Sequence, residues 1–144
     1  MQSNSEAAEI LYELESEGHK LTRLREVLII LFTQGHPLLV EELVKQLKKQ
    51  GILVHRTTLY RELEFLEKKQ VITRVNVPGN KLRYEFADGH HHHHVVCTQC
   101  RKIEDIELDN DADELEKLIK NKKNFSITRH ALEFFGLCGT CKNV

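Results

Sequence analysis

Nowhere in its 144 residues does the chain hold a run of about 18 or more apolar residues, which excludes a membrane-spanning helix. The opening stretch MQSNSEAAEI has neither the basic nor the apolar segment of a secretory leader, so a cytosolic protein is expected. In that compartment its four cysteines are thiols or metal ligands rather than disulfides. There is no internal repeat, which excludes a solenoid. Lysine and arginine are missing from residues 1–19, which carry five Glu and a charge of −5.

The charge that is present is unevenly spread. Residues 20–83 sum to +7 and residues 84–144 to −3, so a net charge of −1 conceals a basic middle. A basic segment between acidic ends suits contact with a polyanion, although clustering on solvated helices gives the same count. The length allows one ordinary domain or two small ones, and two small cores would need a metal or a dimer interface for support.

Hydrophobic spacing predicts four helices in the first half. The first spans Glu6 to Glu17, with Ile10, Leu11 and Leu14 on one side and Gly18 as terminator. The second runs from an N-cap at Thr22 to Phe32, with Leu24, Val27, Leu28 and Leu31 as its stripe. After the break at Gly35-His36-Pro37, Val40 to Gln50 is the third, with Leu43, Val44 and Leu47 inward. Arg56-Thr57-Thr58 opens the fourth, capped by a threonine and reaching Gln70, with Leu59, Leu63 and Leu66 inward. Val71–Val77 and Lys81–Phe86 alternate around Pro78-Gly79-Asn80 as a hairpin. Helices followed by a two-stranded wing describe a winged helix-turn-helix domain over residues 1–87. Residues 90–144 read as a second, α/β domain. Its strands are expected at His90–Cys97, Arg101–Leu108 and Phe125–Phe134, with a helix at Asp111–Lys122. The expected fold class is therefore α+β.

Cys97-x-x-Cys100 and Cys138-x-x-Cys141 give the strongest local signal. Two such knuckles complete a tetrahedral four-sulfur site, which favours zinc and leaves no position open for a substrate, so the site should be structural. A redox CxxC would want a βαβ setting that is absent. A zinc deaminase would need His-x-Glu, which does not occur, and a proline before its Cys pair. The run His90–His94 lies just before the first knuckle. On an extended chain His92 and His94 share one side and His91 and His93 the other, so each pair can seed a metal site with Glu85, Asp105 or His130. The alternative is an exposed tract that binds metal loosely.

His55-Arg-Thr-Thr-Leu-Tyr-Arg61, Tyr84-Glu-Phe86, the histidine cluster, Val96-Cys-x-x-Cys100, Lys102-Ile-Glu104, His130 and the closing Cys-x-x-Cys occur in that order. In this combination, over about residues 10 to 141, the chain resembles the ferric uptake regulator family. The resemblance implies a homodimer with an N-terminal winged helix and a C-terminal dimerisation domain, which binds palindromic double-stranded operator DNA and represses transcription when loaded with metal. It implies structural Zn2+ on Cys97, Cys100, Cys138 and Cys141. It places a regulatory ion (Fe2+ first, otherwise Zn2+ or Mn2+) on Glu85, His92, His94, Asp105 and His36. A second metal set is His91, His93 and His130 with Asp113 or Glu114. Lys20, Arg25, Thr58, Tyr60 and Arg61 correspond to positions that meet DNA, with Lys20 near the minor groove and Arg25 near a phosphate. For Tyr60 the other reading is a half-buried core aromatic.

A metal gathered from segments so far apart in sequence is expected to set the angle between domains. In a dimer that angle governs the spacing of two recognition helices, which must match half-sites about 34–36 Å apart or a multiple. Alternatives within the family are a zinc uptake regulator and a peroxide sensor. Outside that role stands a metal buffer without DNA binding, against which the basic segment and Tyr60-Arg61 argue. No enzyme signature is apparent.

Overall fold

The computed structural model describes residues 2–75, 81–87, 93–108, 111–128, 130 and 132–143, the side chains of residues 2–4 and 111 apart. The chain divides into two compact units, Met1–Asp88 and Gly89–Val144. The turn expected at 78–80 and the boundary residues 88 and 89 lie outside the described residues, as do His91 and His92.

The first unit contains α1 (Gln2–Ser16), α2 (Arg23–Phe32), β1 (Leu38–Leu39), α3 (Val40–Lys49), α4 (Arg56–Lys68), β2 (Ile72–Val75) and β3 (Arg83–Phe86). Thr22 caps α2 as its position predicts: its hydroxyl accepts from the Arg25 amide at 3.2 Å. Gly18 and Gly51, with φ of +84° and +73°, let the chain leave α1 and α3 through left-handed turns, where His19 N and Ile52 N donate to the Leu14 and Leu47 carbonyls. The leucines spaced along α2, α3 and α4 meet in one core with Phe32, Ile72 and Tyr84. Burying each such side chain contributes about 1.5–3 kcal/mol.

Several details depart from the sequence reading, beginning with α1, which starts at Gln2 rather than at Glu6. The wing is part of a three-stranded antiparallel sheet, β1-β3-β2, because Leu38 and Leu39 pair with Tyr84 and Arg83. The cap of α4 is His55, not a threonine, and its side chain makes no capping bond. Burial of Leu59, Leu63 and Leu66 sets that register and leaves Thr57 and Thr58 exposed in the first turn. The helix ends at Lys68, short of Gln70.

The second unit contains β4 (His93–Cys97), β5 (Ile103–Ile106), α5 (Asp111–Lys123), β6 (Glu133–Gly136) and α6 (Gly139–Lys142). Strand β4 is central, antiparallel to β5 and parallel to β6. The strand expected from Phe125 forms only at Glu133, where β4 offers hydrogen-bonding partners. Phe125 itself is exposed. On α5 the apolar residues Leu115, Leu118 and Ile119 face outward, as do Phe134, Phe135 and Leu137 in and after β6. Among the described residues, no helix is long and apolar enough to cross a membrane.

Candidate metal centres and nucleic-acid interface

The parallel pairing of β4 with β6 sets Cys97 opposite Gly136, and Thr98 N donates to the Gly136 carbonyl at 2.8 Å. This register brings together two knuckles separated by 37 residues of chain. The first turns back through Arg101, at a φ of 65°, whose amide donates to the Cys97 carbonyl. The second is rolled into α6, where Lys142 N donates to the Cys138 carbonyl. The four sulfurs lie within 4.8 Å of one another, and Cys100 Sγ is 3.7 Å from Cys138 Sγ. A tetrahedron with zinc–sulfur bonds of about 2.3 Å has edges of about 3.8 Å, so the set fits zinc closely. The Cys138 amide also donates to Cys97 Sγ. Backbone hydrogen bonds, that from Cys100 foremost, hold the Cys97 thiol down at about 6. Hydrogen bonding with Cys138 first, then burial, pushes Cys141 up to about 12. A cysteine set of this kind still carries thiol protons, which a zinc ion displaces on binding.

Of the residues assigned to the regulatory metal, His94 and Asp105 are brought together. They are register partners across β4 and β5, with Nε2 and Oδ1 3.5 Å apart. His94 is buried. Glu85 and His36 belong to the first unit: Glu85 is buried on β3, and His36 is exposed ahead of β1. His92 lies outside the described residues.

Of the second set, His130 meets a carboxylate that sequence reading did not name. His130 Nδ1 is 2.7 Å from Glu116 Oε1, and the His130 ring lies 5.9 Å from that of buried His93. The helix-borne carboxylate at His130 is therefore Glu116, while Asp113 and Glu114 are exposed. No sequence signal singled it out, because the apolar stripe of α5 faces outward while Glu116 is half-buried. His91 lies outside the described residues.

In the first unit α4 buries its leucines and turns Thr58, Tyr60 and Arg61 outward. Tyr60 is 43% exposed, so it is not a core aromatic. Lys20, in the loop before α2, is exposed. Arg25 differs from the expectation of a phosphate contact. Its side chain is only 11% exposed and is engaged by Glu62 and by the Lys20 carbonyl.

A winged helix joined to a unit closed by four sulfurs defines a nucleic-acid-binding module coupled to a metal-binding one. Residues 16–135 match the ferric uptake regulator family, and the chain belongs to it. It is similar to the ferric uptake regulation protein of Legionella pneumophila, 31% identical over 132 residues that span 90% of this chain and 96% of the relative. Among solved structures it is similar to the ferric uptake regulator of Vibrio cholerae. That structure has a TM-score of 0.69 and 29% identity, covering 88% of this chain and 98% of the other. The Helicobacter pylori regulator shares the fold with a TM-score of 0.77 at 23% identity, covering 97% and 93%; its structure is described as having three functional metal-binding sites.

Proposed function

We propose that this chain is an iron-responsive transcriptional repressor that binds palindromic operator DNA as a homodimer. The outward face of α4, with Thr58, Tyr60 and Arg61 beside buried leucines, is the observation that carries the DNA-binding half of this reading. Residues 1–87 act as the DNA-binding domain and residues 90–144 as the dimerisation and metal-binding domain. Zn2+ is structural on the four cysteines. The regulatory ion is assigned to Glu85, His92, His94, Asp105 and His36, a nitrogen and oxygen set that accepts several divalent ions. The second set is His91, His93, His130 and Glu116, with Glu116 replacing Asp113 on the strength of its contact with His130. The apolar residues of α5 and β6 suit cover by the partner protomer. The protein acts in the cytoplasm and performs no catalysis.

Arg61 is suited to a guanine edge or a phosphate, and Tyr60 to a thymine methyl. Metal shifts a population toward the DNA-competent form, and a nearly complete switch requires roughly 10⁴-fold tighter binding to that form. The test is fluorescence anisotropy with operator DNA, adding Fe(II), Mn(II) or Zn(II) to protein that retains its tightest zinc. A rise in affinity with Fe(II) is expected, and Lys20→Ala should lower both affinity and salt slope. A response confined to Zn(II) would favour zinc sensing. Indifference to every metal would favour a metal buffer.

A further inference from the structure

Arg25 sits in the first turn of α2, and its guanidinium is used on every side. Nε and Nη2 both donate to the Glu62 carboxylate, the latter at 3.2 Å. Nη1 donates to the Lys20 carbonyl oxygen at 2.6 Å. The cationic carbon lies 3.9 Å from the centre of the Phe65 ring. Glu62 and Phe65 stand three apart on α4, immediately after Tyr60 and Arg61, so one face of that helix receives the whole fork. The same loop is attached further along: the His19 ring meets Phe65 edge-on at 5.1 Å, and Lys69 Nζ donates to Glu17 at 2.6 Å. A bidentate arginine–carboxylate pair fixes orientation as well as distance. It is also internally neutral, so Arg25 adds little to the field that attracts a polyanion.

We propose that Arg25 is a positioning residue, which through Glu62 and the Lys20 carbonyl locks the Lys20 loop to the Tyr60–Arg61 segment of α4. Loop and helix then meet DNA as one preformed surface, and no ordering of the loop is needed on binding. The inference rests on the reading of Lys20, Tyr60 and Arg61 as DNA contacts, and it gives Arg25 an indirect part in recognition in place of a phosphate contact.

The experiment uses the full-length, zinc-loaded protein with metal added, and the variants Arg25→Met, Arg25→Lys, Glu62→Ala and the double variant Arg25→Met/Glu62→Ala. Operator affinity is measured across a salt series. Each single variant should bind about tenfold more weakly, the scale of coupling between contacting groups, with the salt slope unchanged. The double variant should be no weaker than Arg25→Met alone. A direct phosphate contact predicts otherwise: Arg25→Met would reduce the slope by about one, and Glu62→Ala would free the arginine and tighten binding. Either result overturns the proposal. Amide hydrogen exchange without DNA gives an independent reading. Residues 19–22 should exchange faster in all the variants while the leucine core of α2 and α4 stays protected. Unchanged exchange at residues 19–22 overturns the tie even if the wild-type protein proves to bind no operator, a result that would instead sink the proposed function.

Discussion

Replacing Cys97 with serine should unfold the second unit and spare the first. Every residue of the principal core cluster lies between Ala7 and Tyr84. Among the described residues of the second unit, the fully or nearly buried side chains are Val96, Cys97, His93 and His94. A core of that size rarely supplies more than about 3–5 kcal/mol. Zinc bound by a structural site contributes on the order of 10–16 kcal/mol at neutral pH, so one ligand of four accounts for roughly 2.5–4 kcal/mol on an even division. That loss consumes what the small core provides. Zinc content and segment-resolved hydrogen exchange are the assay. The variant should hold less zinc and lose protection over 93–106 and 133–142, while residues 23–75 keep theirs. Full protection of the second unit in a zinc-free Cys97→Ser protein would refute the structural role of the site.

At the second metal set, Glu116→Ala should weaken binding of the second ion about 10- to 100-fold by calorimetry with Mn(II), whereas Asp113→Ala should leave it unchanged; the opposite pattern would return the ligand to Asp113. Leu118→Glu or Phe135→Glu should shift the dimer toward monomer, by about 30-fold in dissociation constant if either side chain is a hot spot, and sedimentation reads the change. A dimer as tight as wild type in both would place the interface elsewhere. Lys69, through a hydrogen bond and its charge, holds Glu17 below the ordinary carboxylate range. Such a group contributes stability above its unfolded pKa and loses it as pH falls through the folded value. The stability difference between wild type and Glu17→Gln, read by urea unfolding, should therefore be full at neutral pH and close as pH falls below the ordinary carboxylate value of 4.5. A difference that persists at low pH would mean the pair is not its source.

Features carried by chemistry local to the chain were legible in the sequence. The Cys-x-x-Cys pairs need only sulfur and spacing, and the helices of the first unit announce themselves through leucines three and four apart. Elements that exist only because of a distant partner were not legible. Leu38–Leu39 is a strand because β3 lies beside it, and β6 begins where β4 can bond it rather than where its alternation begins. The inward side of α5 was hidden for a related reason. Its outer stripe of Leu115, Leu118 and Ile119 looks like a core face, yet the side that meets His130 carries Glu116. Arg25 reads as a free cation until Glu62, far along the chain, is seen to hold it.

The parallel pairing of β4 with β6 bears on how the protein is made. Domains generally fold as units from the N-terminus while the ribosome adds about 5–20 residues per second. All core partners of the first unit have been synthesised once Phe86 is in place. The central strand of the second unit must wait for residues 133–136, and the sulfur cluster must wait for Cys141. A nascent chain therefore passes through an interval in which a folded winged helix carries two unmatched thiols at Cys97 and Cys100. Until Cys138 and Cys141 emerge, those thiols have no second pair with which to complete a four-sulfur site.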